Sequence, residues 1–342
     1  MKIDIFNHFF PKEFFDKYIN AGAGGKDIGK RVQNIVTIMD LDKRFRILDE
    51  FGDYVQVLTL PLPPLEILGG PDKSPELARV GNDGLAELVK KHPDRFLGFA
   101  ASLPMNNPKE AEKEMNRALD ELGALGIQIY TNVAGKPLDD PQFAPLFEEA
   151  ARRNVPIWMH PARGADFSDY LAEEKSKYEI WWTFGWPYET SVAMSRIVFS
   201  GVLDRHPNIK IITHHMGGMI PYFEGRVGYG WDQLGTRTSD EDYVSLLKSM
   251  KKRPVDYFKH FYADTALFGA GPATKCGLEF FGVDQIVFAS DMPFEPAPGL
   301  YARETIRCVE DLPISAAQKE QIYRGNAEKL LNLKSVGAMS ES

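Results

Sequence analysis

The run Val155-Pro156-Ile157-Trp158-Met159-His160, closed by Pro161, is apolar almost throughout and ends on a histidine. It lacks the apolar–polar alternation of a half-exposed strand, so it reads as a strand buried on both faces, as in a parallel sheet. Working outward in both directions, runs of the same type recur at roughly Lys2–Phe6, Tyr54–Leu60, Arg95–Ala101, Gly126–Tyr130, Ile209–Thr213, His260–Asp264 and Gln285–Ser290. The stretches between them carry helical periodicity and start signals. Ser74-Pro75, Asn107-Pro108 and Asp140-Pro141 each place a capping side chain before a proline, whose missing N–H costs nothing in a first helical turn. After Asn107, Ala111, Met115, Ala118, Leu119 and Leu122 fall on one stripe. Ser315 with Gln318 predicts a capping box opening a helix to about Leu331, and the tail after Lys334 is expected to fray.

Eight such strands joined by helical crossovers predict a (β/α)8 TIM barrel, a single domain over residues 1–342, with long βα connections covering its C-terminal mouth. The longest connections follow strands one, five and six. A doubly wound sheet would want a glycine-rich phosphate loop after strand one. Gly22, Gly24, Gly25 and Lys26 do not supply it, because Asn20 stands six before Lys26 and Asp27 occupies the magnesium-binding Ser/Thr position; the segment reads as a flexible loop.

Composition narrows the function classes. With 40 basic and 48 acidic residues the formal net charge is −8, so no overall electrostatic footprint for nucleic acid or an anionic membrane is present. Cys276 and Cys308 are the only cysteines, too few for a disulfide framework or a cysteine-based zinc site. Met1-Lys2-Ile3-Asp4-Ile5 enters a strand directly, without a signal-peptide core, and no run of eighteen apolar residues occurs; the expectation is a cytoplasmic enzyme.

The seven histidines sort by strand end. His92, His206 and His260 come just before a strand or at its start, on the barrel face associated with stability, where His92 and His206 could bond the last carbonyls of a helix. His8, His160, His214 and His215 follow the ends of strands one, five and six, and Asp291 follows strand eight. Packing alone would favour aliphatic side chains at such positions. Imidazoles converging with a carboxylate on one rim instead suit Zn²⁺ or a similar divalent ion with open coordination positions. Asp264, after strand seven, is placed to orient a histidine from behind. In the connection after strand five, Trp181, Trp182, Phe184, Trp186 and Tyr188 suggest a wall for a flat substrate.

Read in order, Asp4-Ile5-Phe6-Asn7-His8, Trp158-Met159-His160-Pro161, Ser200-Gly201-Val202-Leu203-Asp204, Thr213-His214-His215-Met216-Gly217-Gly218, Ser290-Asp291-Met292-Pro293 and Gly325-Asn326-Ala327 resemble the amidohydrolase superfamily. The resemblance is to the branch typified by aminocarboxymuconate-semialdehyde decarboxylase and the hydroxybenzoate decarboxylases. It implies metal ligation by His8, His160 and Asp291, acid/base work by His215 and Asp291, and support from His214 and Asp264. It also implies that Arg44 or Arg46 reaches a substrate carboxylate, a task suited to a guanidinium fork. No lysine ends strand four, where Gln128 and Tyr130 lie, so the centre is expected to be mononuclear. The chain departs from the pattern at Phe6, where a first ligand is expected, and at Gly218, where the hydroxybenzoate decarboxylases tend to carry a glutamate.

The activity implied is metal-dependent, non-oxidative decarboxylation of a planar aromatic or unsaturated carboxylate, with Zn²⁺ ahead of Mn²⁺ and a homodimeric enzyme. Two alternatives stay open: hydrolysis of an ester, lactone or amide at the same centre, and a catalytically silent barrel, since Phe6 removes a ligand.

Overall fold

The computed structural model describes residues 1–22, 27–238 and 240–333. Residues 23–26, most of the glycine-rich segment read as a flexible loop, and residues 334–342, which include the tail expected to fray after Lys334, lie outside the described residues. Eight parallel strands form the frame: β1 Lys2–His8, β2 Tyr54–Thr59, β3 Phe96–Ser102, β4 Gly126–Tyr130, β5 Pro156–His160, β6 Lys210–Thr213, β7 Tyr262–Asp264 and β8 Ile286–Val287. They pair in that order, each with the next. The ring closes through backbone bonds from Ile5 N–H to the Phe288 carbonyl (3.1 Å) and from Asp291 N–H to the Phe6 carbonyl (3.0 Å). The fold is therefore the expected (β/α)8 barrel.

The strands form where the sequence is apolar because both faces are covered. Phe6, Val57, Ala100, Trp158, Ile212 and Val287 meet inside the ring, while other cores lie between strands and helices. Gly126 is required where β4 meets β5, since a Cβ there would sit 2.2 Å from the Pro156 carbonyl oxygen. The Trp158 indole N–H crosses the barrel to the Ile5 carbonyl at 2.7 Å, tying β5 to β1. Strand β8 is shorter than its apolar run, because side chains replace the ladder beyond it. Ala289 N–H donates to Thr265 Oγ1 at 2.9 Å and Ser290 N–H to Asp4 Oδ1 at 3.0 Å.

Helix starts follow the capping signals at three of four positions. Asn107 accepts from Glu110 N–H, Asp140 from Gln142 N–H, and Ser315 with Gln318 forms the capping box. Ser74 differs: it is the first helical residue, and its hydroxyl is spent on Asn106 Oδ1 at 2.6 Å. On the stability face, the His92 ring packs against Phe45 and Phe96, and His206 Nε2 has no hydrogen-bond partner among the described residues. His260 Nε2 meets the Ile209 carbonyl at 3.1 Å.

Candidate metal centre and substrate cleft

His8 and His160 are the last residues of β1 and β5, His214 follows β6 directly, and Asp291 follows β8. Strand alternation aims them inward. Trp158 pairs with Ile212 across β5 and β6, both inside the barrel, so the residues two further on, His160 and His214, share that interior face. One ligand atom each of His8, His160, His214 and Asp291 lie within 4.8 Å of one another, and all four residues are buried.

Each imidazole is held from outside through Nδ1. His8 Nδ1 meets Thr59 Oγ1 (2.9 Å) and the Leu60 carbonyl (3.3 Å). The Thr59 hydroxyl donates to the Asn7 carbonyl at 2.7 Å, which leaves its lone pair to accept from Nδ1–H. His160 Nδ1–H donates to the Pro161 carbonyl at 2.7 Å, and His214 Nδ1–H to Asp264 Oδ2 at 2.5 Å. These partners fix the tautomers and turn every Nε2 inward. His8 Nε2 and His214 Nε2 then stand 3.1 and 3.3 Å from one oxygen, Asp291 Oδ1. In the absence of an ion a proton bridges imidazole and carboxylate at such a contact, and a divalent cation placed among these atoms would take that proton's place.

The donor chemistry fits a divalent ion. Two donors at ~2.1 Å from one ion span at most ~4.2 Å, and the 3.1 and 3.3 Å separations of His8 Nε2 and His214 Nε2 from Asp291 Oδ1 fall inside that span. Electrostatics agree. Burial and the neighbouring His214 and His8 push His160 well below its ordinary pKa, so it offers a neutral nitrogen. Burial alone would lower His214 and raise Asp291, but the contacts between them outweigh it. Asp264 and Asp291 raise His214 to about 9, and the His214 and His8 hydrogen bonds hold Asp291 well below the usual carboxylate range.

His215 occupies a different place. Its φ of +52° breaks the alternation, its Nδ1–H donates to the Ala266 carbonyl at 2.6 Å, and burial followed by His214 lowers its pKa to about 4. It groups with His214 and Asp264 rather than with His8 and His160. The family resemblance assigns the family position to His215 and a supporting role to His214; the geometry brings His214 into the inner ring. Asp264 lies behind both, accepting also from the backbone N–H of His215 (3.0 Å) and Ala266 (3.1 Å). Asp291 shares the strained backbone, with φ of +60°. At Gly218 a Cβ would meet the Pro187 carbonyl oxygen at 2.4 Å, so the absent glutamate has no room.

Above the centre opens a cleft, continuous with solvent, whose lining includes His160 and Asp291. Trp181, Trp182 and Trp186 line it, as expected of the aromatic wall. Trp186 stands edge-on to His160 (5.8 Å between centroids), with its N–H on the Arg163 carbonyl at 3.1 Å. Phe184 and Tyr188 of the same segment are 70% and 53% exposed and do not line the cleft. The long connection after β6 contributes none of the described lining; the opposite side comes from Phe268, Phe294 and Tyr301.

Both expected arginines need correction. Arg44 is fully buried behind β1, its guanidinium spent on Gln56 Oε1 (2.8 Å), the His8 carbonyl (2.8 Å) and Asn7 Oδ1 (2.5 Å). It holds the backbone beneath a candidate ligand and reaches no substrate. Arg46 lines a separate groove with Glu50 and Glu295. Sequence reading missed Arg31, which lines the cleft and donates to the Phe294 carbonyl. It belongs to no motif of the sequence, and no periodicity or spacing singles it out.

A parallel eight-stranded barrel with histidines and an aspartate gathered at the C-terminal strand ends defines a metal-dependent barrel enzyme as the class. Residues 40–333 match the amidohydrolase family, and the chain belongs to it. It is 29% identical over 348 residues to 2-amino-3-carboxymuconate-6-semialdehyde decarboxylase of Dictyostelium discoideum, covering 97% of this chain and 92% of that protein. To gamma-resorcylate decarboxylase of Polaromonas sp. (strain JS666) it is 34% identical over 300 residues, covering 85% and 87%. The crystal structure of dihydroxybenzoic acid decarboxylase from Polaromonas sp. JS666, with bound manganese and the inhibitor 2-nitroresorcinol, is similar with a TM-score of 0.80. It is 29% identical, over 97% of this chain and 96% of that one. The sequence resemblance is thereby borne out.

Proposed function

We propose that the protein is a metal-dependent, non-oxidative decarboxylase of a planar aromatic or unsaturated carboxylate. The observation that carries this reading is the ring of inward-facing Nε2 atoms around Asp291 at the floor of a cleft walled by tryptophans. The relatives named above, decarboxylases of such acids, support the substrate class. His8, His160 and Asp291 would hold the ion; Zn²⁺ suits the nitrogen-rich donor set, and the manganese in the solved relative makes Mn²⁺ the other candidate. When bound, the ion clamps and polarises the substrate's oxygens.

The protein's own groups supply the proton. Decarboxylation exchanges a C–C bond for a C–H bond and consumes one proton at the carbon that bore the carboxylate. Asp291 lines the cleft and is the group we assign to deliver it. A carboxyl held well below its ordinary pKa is a strong acid once protonated, which suits a weakly basic ring carbon. His215 is neutral, its Nδ1–H taken by the Ala266 carbonyl, so its Nε2 lone pair would relay a proton from solvent water to Asp291. Arg31 and the tryptophans would seat the substrate.

No helix among the described residues is long and apolar enough to cross a membrane. The two free thiols support a reducing, cytoplasmic setting. The exposed Phe167, Tyr170, Leu171 and Tyr178 support a homodimer, which light scattering tests directly.

The test of the activity is incubation with 2,6-dihydroxybenzoate and with an unsaturated aminocarboxylate, in the presence of Mn²⁺ or Zn²⁺, in ²H₂O and in ¹⁸O-water. Expected are carbon dioxide and a product carrying deuterium on carbon. A product that instead gains ¹⁸O shows hydrolysis, and no turnover of either class with either ion overturns the reading.

A further inference from the structure

We propose that His214 is a direct ligand of the metal ion, taking over the coordination that Phe6 withholds at the end of β1. The inference rests on the metal-dependent reading above. Positions 6 and 8 share the interior face of β1, but only His8 carries a lone pair there. The Phe6 ring lies 3.9 Å from the His214 ring at an interplanar angle of 25°. Phe6 therefore fills the space of a missing side chain and gives His214 a flat surface that fixes its tilt.

His214 is held on three further sides. Asp264 takes its Nδ1–H, so its Nε2 faces Asp291 Oδ1 at 3.3 Å. The His160 ring lies 5.0 Å away, and the His215 ring stacks on it at 3.7 Å. A carboxylate–imidazole pair aimed at a common point is the arrangement that orients and strengthens a metal-binding histidine. His8, by contrast, leans on a carbonyl and a hydroxyl, and His160 on a carbonyl. His214 alone among the three is backed by a charged group, so it is the strongest nitrogen donor of the set. The inner shell is accordingly His8, His160, His214 and Asp291, and His215 stays outside it, free for proton transfer.

The test compares metal-stripped wild type with His214→Gln, His215→Gln and the double variant Phe6→Glu/His214→Gln. Mn²⁺ affinity is read by chelator competition, and the imidazoles bound to Mn²⁺ are counted by pulsed electron paramagnetic resonance. We expect three bound imidazoles in wild type and in His215→Gln, with affinities within about threefold of each other. His214→Gln should retain two and bind at least ~100-fold more weakly, and the glutamate of the double variant should restore at least ~10-fold. Two bound imidazoles in wild type, or an unchanged affinity in His214→Gln, overturns the proposal. If His214→Gln does not fold, the wild-type count decides the matter alone. Wild type that binds neither Mn²⁺ nor Zn²⁺ fails differently: it removes the metal-dependent reading itself, and this inference with it.

Discussion

Asp291 Oδ1 is approached by His8 and by His214, and its backbone sits at a φ of +60°, so the side chain is held by more than its own preferences. Replacing Asp291 with Asn keeps the shape and removes the charge. Turnover is expected to fall by about 10³-fold or more, with the thermal midpoint little changed. His206→Ala, on the opposite face, should leave turnover within about twofold, and equal effects in a steady-state assay would contradict the division of the histidines between the two faces. Arg44 makes a second residue-scale prediction. Arg44→Met strands Gln56 Oε1, Asn7 Oδ1 and the His8 carbonyl without their donor, so denaturant unfolding should show a loss of about 3–5 kcal/mol.

At this scale the convergence of histidines and Asp291 was legible because strand order alone puts strand ends on one rim. The choice between His214 and His215 turns on a single residue of register. Counting in twos from Trp158 to His160 and from Ile212 to His214 contained the answer, but the family position pointed to His215. Arg44 reads on paper as a helix-borne cation; only the packing of its helix, Leu41–Leu48, against β1 shows that it is sealed.

At the scale of elements, the short helix Leu65–Leu68 carries a buried acid beside the site. Glu66 Oε1 has no hydrogen-bond partner among the described residues, and burial raises its pKa from 4.5 to about 7. The protonated form is therefore favoured in the folded state. Its contribution to stability is full below about pH 4.5, is lost as pH rises towards 7, and is level above that. Across this window wild type should lose about 3 kcal/mol relative to Glu66→Gln, as measured by unfolding at matched metal content. Parallel profiles would show that Glu66 ionises normally. Helix starts at Asn107, Asp140 and Ser315 were readable because each signal is local. Ser74 was not, since its hydroxyl answers to Asn106, a residue from another connection. The Trp segment after β5 was legible as a wall, but which rings face inward depends on tertiary packing.

For the whole molecule, closing the ring of strands makes the metal centre a shared property of four distant segments. An ion that binds only the folded chain should stabilise it, by about 2.7 kcal/mol at 100 times its dissociation constant. Calorimetry should show the midpoint rising by a few degrees with Mn²⁺ or Zn²⁺ in wild type and not in His160→Ala. The barrel itself was readable from eight apolar runs. The cleft was only half readable, because its lining combines the first and second long connections with residues that follow β2, β7 and β8, and omits the long connection after β6.

The tie from the Trp158 indole to the Ile5 carbonyl works like a spoke across a wheel. It fastens together the two staves whose tips bear His160 and His8, one layer below the opening. Segments around the rim can then be exchanged or lengthened without changing the gauge between those tips. A chassis braced in this way lets substrate preference drift over generations while the reactive hub keeps its dimensions.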